Sequence, residues 1–154
     1  MNYWLMKSEP DVFGIDHLAA MPEQTEHWDG VRNYQARNMM RDQMKVGDQV
    51  FFYHSNTDVP GIVGLAEVVK EGYPDFTAHD PDCKYYDPKS SPDNPRWFMV
   101  DIKLVRKLKR TISLREMKDL AEGPLEGFRL LGKGNRLSVM PVEKEYWDYI
   151  LGLE

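Results

Sequence analysis

The chain has almost none of the residues that build covalent or metal-held frameworks. Its 154 residues include one cysteine, Cys83, so no internal disulfide can form and no cysteine-based zinc signature exists. The four histidines (His17, His27, His54, His79) show no metal-ligand spacing. No apolar run approaches the roughly 20 residues that cross a bilayer, so no membrane contact is expected. The opening stretch from Met1 to Lys7 is too short, and wrongly flanked, for a signal peptide. There is no Gly-x-Ser-x-Gly elbow, and His54 and Ser55, neighbours on a strand, would point to opposite faces rather than form a nucleophile–base pair. Gly132-Lys133-Gly134-Asn135 lacks the phosphate-loop pattern. No catalytic residue, metal site or cofactor is indicated. Positive charge is not in excess either: the net charge of −5 excludes a generally basic nucleic-acid binder. The expectation is a soluble cytoplasmic protein, and no protein partner is legible.

What is present is enough for a core. Hydrophobic residues make up 42%, and the length suits a single domain over residues 1–154, without repeats or linkers. Asn2 to Lys7 reads as a strand. Ser8-Glu9-Pro10-Asp11 matches the capping-box pattern ahead of a short helix ending near Ala20. Glu23 to His27 reads as a polar loop, and Asn33 to Met40 as a helix. Val50-Phe51-Phe52-Tyr53 reads as a strand covered on both faces. A strand from Gly61 to Glu71 carries the small residues Gly64 and Ala66, which suggest close packing. Five prolines punctuate Gly72 to Arg96, a long loop whose interleaved tyrosines suggest a lid or wall. Trp97 to Lys107 alternates as a clear strand, Ser113 to Ala121 is a helix, and Arg136 to Met140 a short last strand. Pro141 is expected to open a terminal helix. Four or five strands with short helices make an α+β fold, mostly antiparallel, in a curled sheet or small barrel.

Two features invite a ligand. The first is Trp28-Asp29-Gly30-Val31-Arg32-Asn33, where a large ring stands beside a glycine turn and a helix start. That arrangement suits a flat, polar-edged ligand such as a nucleobase, but most buried aromatics are packing, so this segment alone favours a tryptophan that plugs the core. The second is three groups of cations on an acidic chain: Arg32, Arg37 and Arg41; Lys103, Arg106, Lys107, Lys109, Arg110 and Arg115; and Arg129, Lys133 and Arg136. Converging on one face, they would track phosphates; dispersed, they are solvated strand ends.

The ordered set of motifs resembles the EVE domain family, a PUA-like branch related to YTH domains. It comprises Tyr3-Trp4-Leu5-Met6-Lys7-Ser8-Glu9-Pro10, Trp28 to Asn38, Gly47-Asp48 through His54-Ser55, Gly61-Ile62-Val63-Gly64, Tyr86-Asp87-Pro88, Pro95-Arg96-Trp97 and Arg136-Leu137-Ser138-Val139. The resemblance implies a PUA-like curved sheet and a pocket for a modified nucleobase, with modified cytosine in DNA as the implied ligand and nucleic acid as the partner. It makes Trp28 a pocket wall, and Ser8 and Asn33 groups for the base edge. Val31 stands beside them, and His54 and Ser55 lie at the rim. Trp97 becomes a second wall or a core ring, and Arg136, Leu137 and Ser138 the floor. Lys7, Arg32, Arg37, Lys103, Arg106 and Lys107 would hold phosphates. The leading expectation is a non-catalytic reader of a modified base. The alternatives are an enzyme acting on a nucleotide or RNA through Ser8, Asn33 or His54, and a PUA-type RNA-binding module without modification selectivity.

Overall fold

Two strands that are apolar on both faces sit at the centre of the molecule. The computed structural model describes residues 1–154. Strand β1 (Tyr3–Ser8) runs parallel to β3 (Gln49–His54), with Ser8 opposite His54. Successive side chains of a strand point to opposite faces. Trp4, Met6, Val50 and Phe52 therefore enter one core, and Leu5, Phe51 and Tyr53 a second. This explains the unbroken apolar run in β3, since a strand covered on both sides has no polar alternation to show.

The full sheet has six strands, more than the sequence suggested, in the order β2-β5-β4-β3-β1-β6. Here β2 is Thr25–His27, β4 Gly61–Pro74, β5 Phe98–Ser113 and β6 Val139–Val142. All neighbours but β1 and β3 pair antiparallel. The long β4–β5 ladder contains several register shifts, which bend and twist the two strands and curl the sheet without closing it.

The parallel pair needs a long crossover, supplied by residues 9–48. It carries α1 (Pro10–Phe13), α2 (Ile15–Ala20), β2 and α3 (Tyr34–Asp42). Helix α3 buries Ala36, Met39 and Met40. Ile15 of α2 lies where a side chain on Gly64 would stand, so this glycine is what lets the helix dock on β4. The second core is closed by α4 (Leu114–Lys118) and α5 (Lys144–Leu151), whose Trp147 stacks on Phe51 at 3.9 Å. Buried Asp48 accepts hydrogen bonds from the Trp4 indole N–H and the backbone N–H groups of Asn2 and Lys45, tying the start of β1 to the turn before β3.

Three local expectations are corrected. Glu23 to His27 is not all loop: Thr25–His27 pairs with β5, and a polar strand of three residues has no alternation to betray it. Ser8 does not cap α1; its hydroxyl donates to the Phe13 carbonyl at the other end of that turn. Pro141 does not open the terminal helix but lies in β6 opposite Trp4, where an edge strand tolerates a missing N–H, and α5 begins at Lys144.

Candidate functional site

Because β1 and β3 are parallel, their carboxyl ends emerge together. The Ser55 N–H donates to the Ser8 carbonyl at 3.0 Å, and the Lys7 N–H donates to the Ser138 carbonyl at 2.8 Å. Three serines from distant parts of the chain thus meet at one end of the sheet, beside a cavity of about 700 Å³ that all three line. Lys7, Trp28, Val31, Arg32 and Arg136 also line it, from among the residues the sequence singled out.

Trp28 continues β2, with its N–H donating to the Val100 carbonyl at 2.8 Å. It is 7% exposed, and its ring meets Phe13 and Phe52 edge to face at 6.4 and 5.5 Å. The indole N–H groups of Trp4 and Trp97 are each held by a carboxylate, whereas that of Trp28 has no protein acceptor. Phe13 and Tyr85 supply further rings to the cavity wall. Tyr85 belongs to the proline-rich loop, which packs down as a wall. Gly30 has φ 78°, and a side chain there would collide with the Tyr85 ring, so glycine serves both the turn and the contact.

Arg32 locks that loop to the site. Its guanidinium donates to the fully buried Asp75 carboxylate at 3.0 Å and twice to the Tyr85 carbonyl, at 2.7 and 3.2 Å. Burial pushes the Asp75 carboxyl up. The Thr77 hydroxyl, the Gly30 N–H and the Arg32 guanidinium outweigh that and hold it below the usual carboxylate value.

The sequence had set several other residues in the site that the fold places elsewhere. Asn33 caps α3, its side-chain oxygen accepting from the Ala36 N–H at 3.0 Å. His54 accepts from the Ile15 N–H through Nε2 at 3.1 Å, which requires the neutral ring; burial lowers its pKa, while Asp16 pulls the other way. Trp97 is buried, stacked on Tyr34 at 4.7 Å and tied to Asp87. Leu137 packs against the cores. None of the four lines the cavity.

The cations divide sharply. Lys7 has no carboxylate within ion-pair distance, and burial lowers its pKa. Lys84 and Arg136, which also line the cavity, are unpaired too. By contrast, Arg106 forms a two-pronged pair with Glu154 at 2.6 and 2.8 Å, and Lys107 pairs with Asp16 at 2.5 Å. Arg37 donates to the Arg96 carbonyl at 2.6 Å and covers the Tyr34 ring. Lys103 is exposed along β5, away from the cavity, opposite Thr25 and Glu67. Arg32 and Arg136 thus bring one member each of the first and third cation groups to the cavity, and the second group stays outside it.

The cavity also holds residues that the sequence reading left out, among them Asp29, Glu26, His27 and Lys84. Asp29 was legible only as half of a turn signal. Lys84 and Tyr85 lay in a loop whose path no periodicity reveals.

Taken together, the curled six-stranded sheet and the cavity at its end define a PUA-like domain. An EVE domain model matches residues 2–153, and the chain belongs to the EVE domain family. It is 50% identical to thymocyte nuclear protein 1 of Rattus norvegicus, over 99% of this chain and 74% of the relative. The structure of the human THYN1 protein in complex with 5-methylcytosine-containing DNA superposes with a TM-score of 0.94 at 47% identity, covering 99% of this chain and 97% of that one. A Pseudomonas putida protein superposes with a TM-score of 0.92 at 48% identity, with 98% of each chain covered. The relatives correct the expectation of a cytoplasmic protein, since those of rat, mouse and human are named as nuclear proteins. A chain with a single cysteine has no internal disulfide in any compartment, so that absence could not locate it.

Proposed function

We propose that this chain, acting as one EVE module, is a non-catalytic reader of modified cytosine in DNA that takes a flipped-out base into the cavity at the end of β1 and β3. The observation that carries the reading is the cavity itself: aromatic rings, three hydroxyls and unpaired cations around about 700 Å³. It occurs in a chain so like a protein solved with 5-methylcytosine DNA. Trp28 and its neighbouring rings offer apolar surface to the base and its 5-substituent. Stacking on such a ring contributes about 1–3 kcal/mol, and a buried methyl about 0.8 kcal/mol. Stacking is common to both bases, so selectivity rests on the methyl: about fourfold from its transfer out of water alone, and roughly tenfold to a hundredfold where a close-fitting apolar wall receives it. Extracting the base from a duplex costs a few kcal/mol, which phosphate contacts from Lys7, Lys84 and Arg136 offset.

The polar groups favour binding over catalysis. The Ser8 hydroxyl proton is committed to the Phe13 carbonyl, and the His54 ring nitrogen to the Ile15 N–H, so no base is poised on a nucleophile. Fluorescence anisotropy with oligonucleotides that differ only in one cytosine, unmodified or 5-methylated, at two salt concentrations tests the reading. Tighter binding of the methylated strand, lost in Trp28→Ala, is expected. Equal binding of the two strands by the intact protein refutes it.

A further inference from the structure

5-Methylcytosine and thymine carry the same methyl group on the same ring. An apolar wall that rewards the methyl rewards thymine just as well, and DNA contains thymine throughout. The two bases differ at positions 3 and 4: cytosine presents an N3 that accepts and a 4-amino group that donates, thymine an N3–H that donates and a 4-carbonyl that accepts. At position 4, what separates them is an acceptor that cannot become a donor.

Serine hydroxyls do not meet this need, because a hydroxyl turns to donate or accept as required. Ionised carboxylates do, and the cavity wall has three: Glu9, Glu26 and Asp29. Glu26 is spent on His27, accepting from its backbone N–H at 2.9 Å and lying 2.8 Å from its Nδ1. Glu9 is exposed, and its Oε1 accepts from the Asn56 amide at 3.2 Å. Asp29 differs from both. It is half-buried beside Trp28, and no other residue donates a hydrogen bond to its carboxylate. Burial raises its pKa, with Asp75 adding to the effect and His27 and Arg32 opposing it. A carboxylate left short of donors at the wall of a binding cavity gains from a ligand that brings N–H groups.

We infer that Asp29 is the specificity-determining residue that separates modified cytosine from thymine, accepting a hydrogen bond from the cytosine 4-amino group and repelling the thymine 4-carbonyl. The inference rests on the base-reader reading above and deepens it. An unmatched polar pair in a fully closed site costs 10⁴- to 10⁵-fold; this cavity is open to solvent, so a discrimination of roughly a hundredfold is expected.

The test uses the full chain and single-stranded oligonucleotides identical except at one position, occupied by cytosine, 5-methylcytosine or thymine. Single strands remove the differing cost of opening the two base pairs. The quantity read is the ratio of the thymine to the 5-methylcytosine Kd. Asp29→Asn keeps the shape but supplies an amide that can turn its N–H toward a carbonyl. The ratio should fall at least tenfold in this variant, and likewise in Asp29→Ala. A ratio unchanged in both variants overturns the role of Asp29, as does a wild-type ratio near one with cytosine still bound more weakly; either result leaves the reading of a 5-methylated base standing. Equal binding of all three strands by the wild type overturns that reading itself.

Discussion

The cavity and the outer half of β5 carry similar numbers of basic residues and use them in opposite ways. Along β5 and toward the C-terminus, Arg106, Lys107 and Arg110 are each paired with a carboxylate: Glu154, Asp16 and Glu116. Arg106 and the Lys109 N–H pull the Glu154 carboxyl down to about 2. Around the cavity, Lys7, Lys84 and Arg136 have no such partner, although the chain is acidic overall. The density of cations in a sequence therefore says little about which of them can meet a phosphate. What matters is whether the fold has already supplied an anion.

The largest expected effect compares two buried tryptophans, one at the cavity and one in the second core. Trp28→Ala and Trp147→Ala should each cost about 3–5 kcal/mol of stability in urea unfolding. Only the first should also abolish selectivity for the methylated strand, because Trp147 packs on Phe51 and Tyr3 in the second core. Loss of selectivity in Trp147→Ala at a concentration where the variant is folded would erase the distinction between the regions.

A smaller effect concerns the cations directly. Lys7→Ala and Arg136→Ala should each lower affinity for all strands alike and reduce the slope of log K against log salt by about one. Arg106→Ala should leave that slope unchanged, since its guanidinium is already held by Glu154. A reduced slope in Arg106→Ala would mean that the pair opens when nucleic acid arrives.

The smallest effect is in the pH dependence of stability, where two cavity-side carboxyls have opposite signs. The folded-state pKa of Asp75 is lowered, so its contribution is present above the ordinary carboxylate value, about 3.9, and is lost as pH falls through the folded value. The folded-state pKa of Asp29 is raised, chiefly by burial. Its ionisation opposes folding, and the penalty grows as pH rises from about 3.9 through the raised value. Asp29→Asn should therefore be more stable than the wild type at neutral pH and equal to it in acid, by denaturant titration at both. A stability gain of the same size at both pH values would point to shape rather than charge.

Much of the sheet was legible because its strands announce themselves. The apolar run of β3 follows directly from burial on two faces, and the alternation of Val100, Ile102 and Leu104 in β5 from burial in one core. The parallel pairing of β1 with β3 was not legible, because pairing direction depends on where the crossover travels. The site was legible in part. Ser8, Trp28 and Ser138 lie in motifs of the family and line the cavity. Asn33 and His54 lie in the same motifs but complete backbone hydrogen bonds at helix starts. From sequence alone, a polar residue that serves a helix end looks the same as one that serves a ligand.

The single parallel pair also has a consequence for how the cavity comes into being. Ser8, Ser55 and Ser138 are brought together by β1, β3 and β6, and Trp28 arrives on the crossover between the first two. Residues 7 to 32 supply most of the lining, but Ser55, Lys84, Tyr85, Arg136 and Ser138 must arrive from far along the chain to complete it. Contacts between such distant residues form late and slowly, because each closes a long loop before it gains anything in return. The complete cavity should thus appear with the last cooperative step of folding rather than ahead of it. A nascent or partly unfolded chain would present one wall of the cavity without its far side.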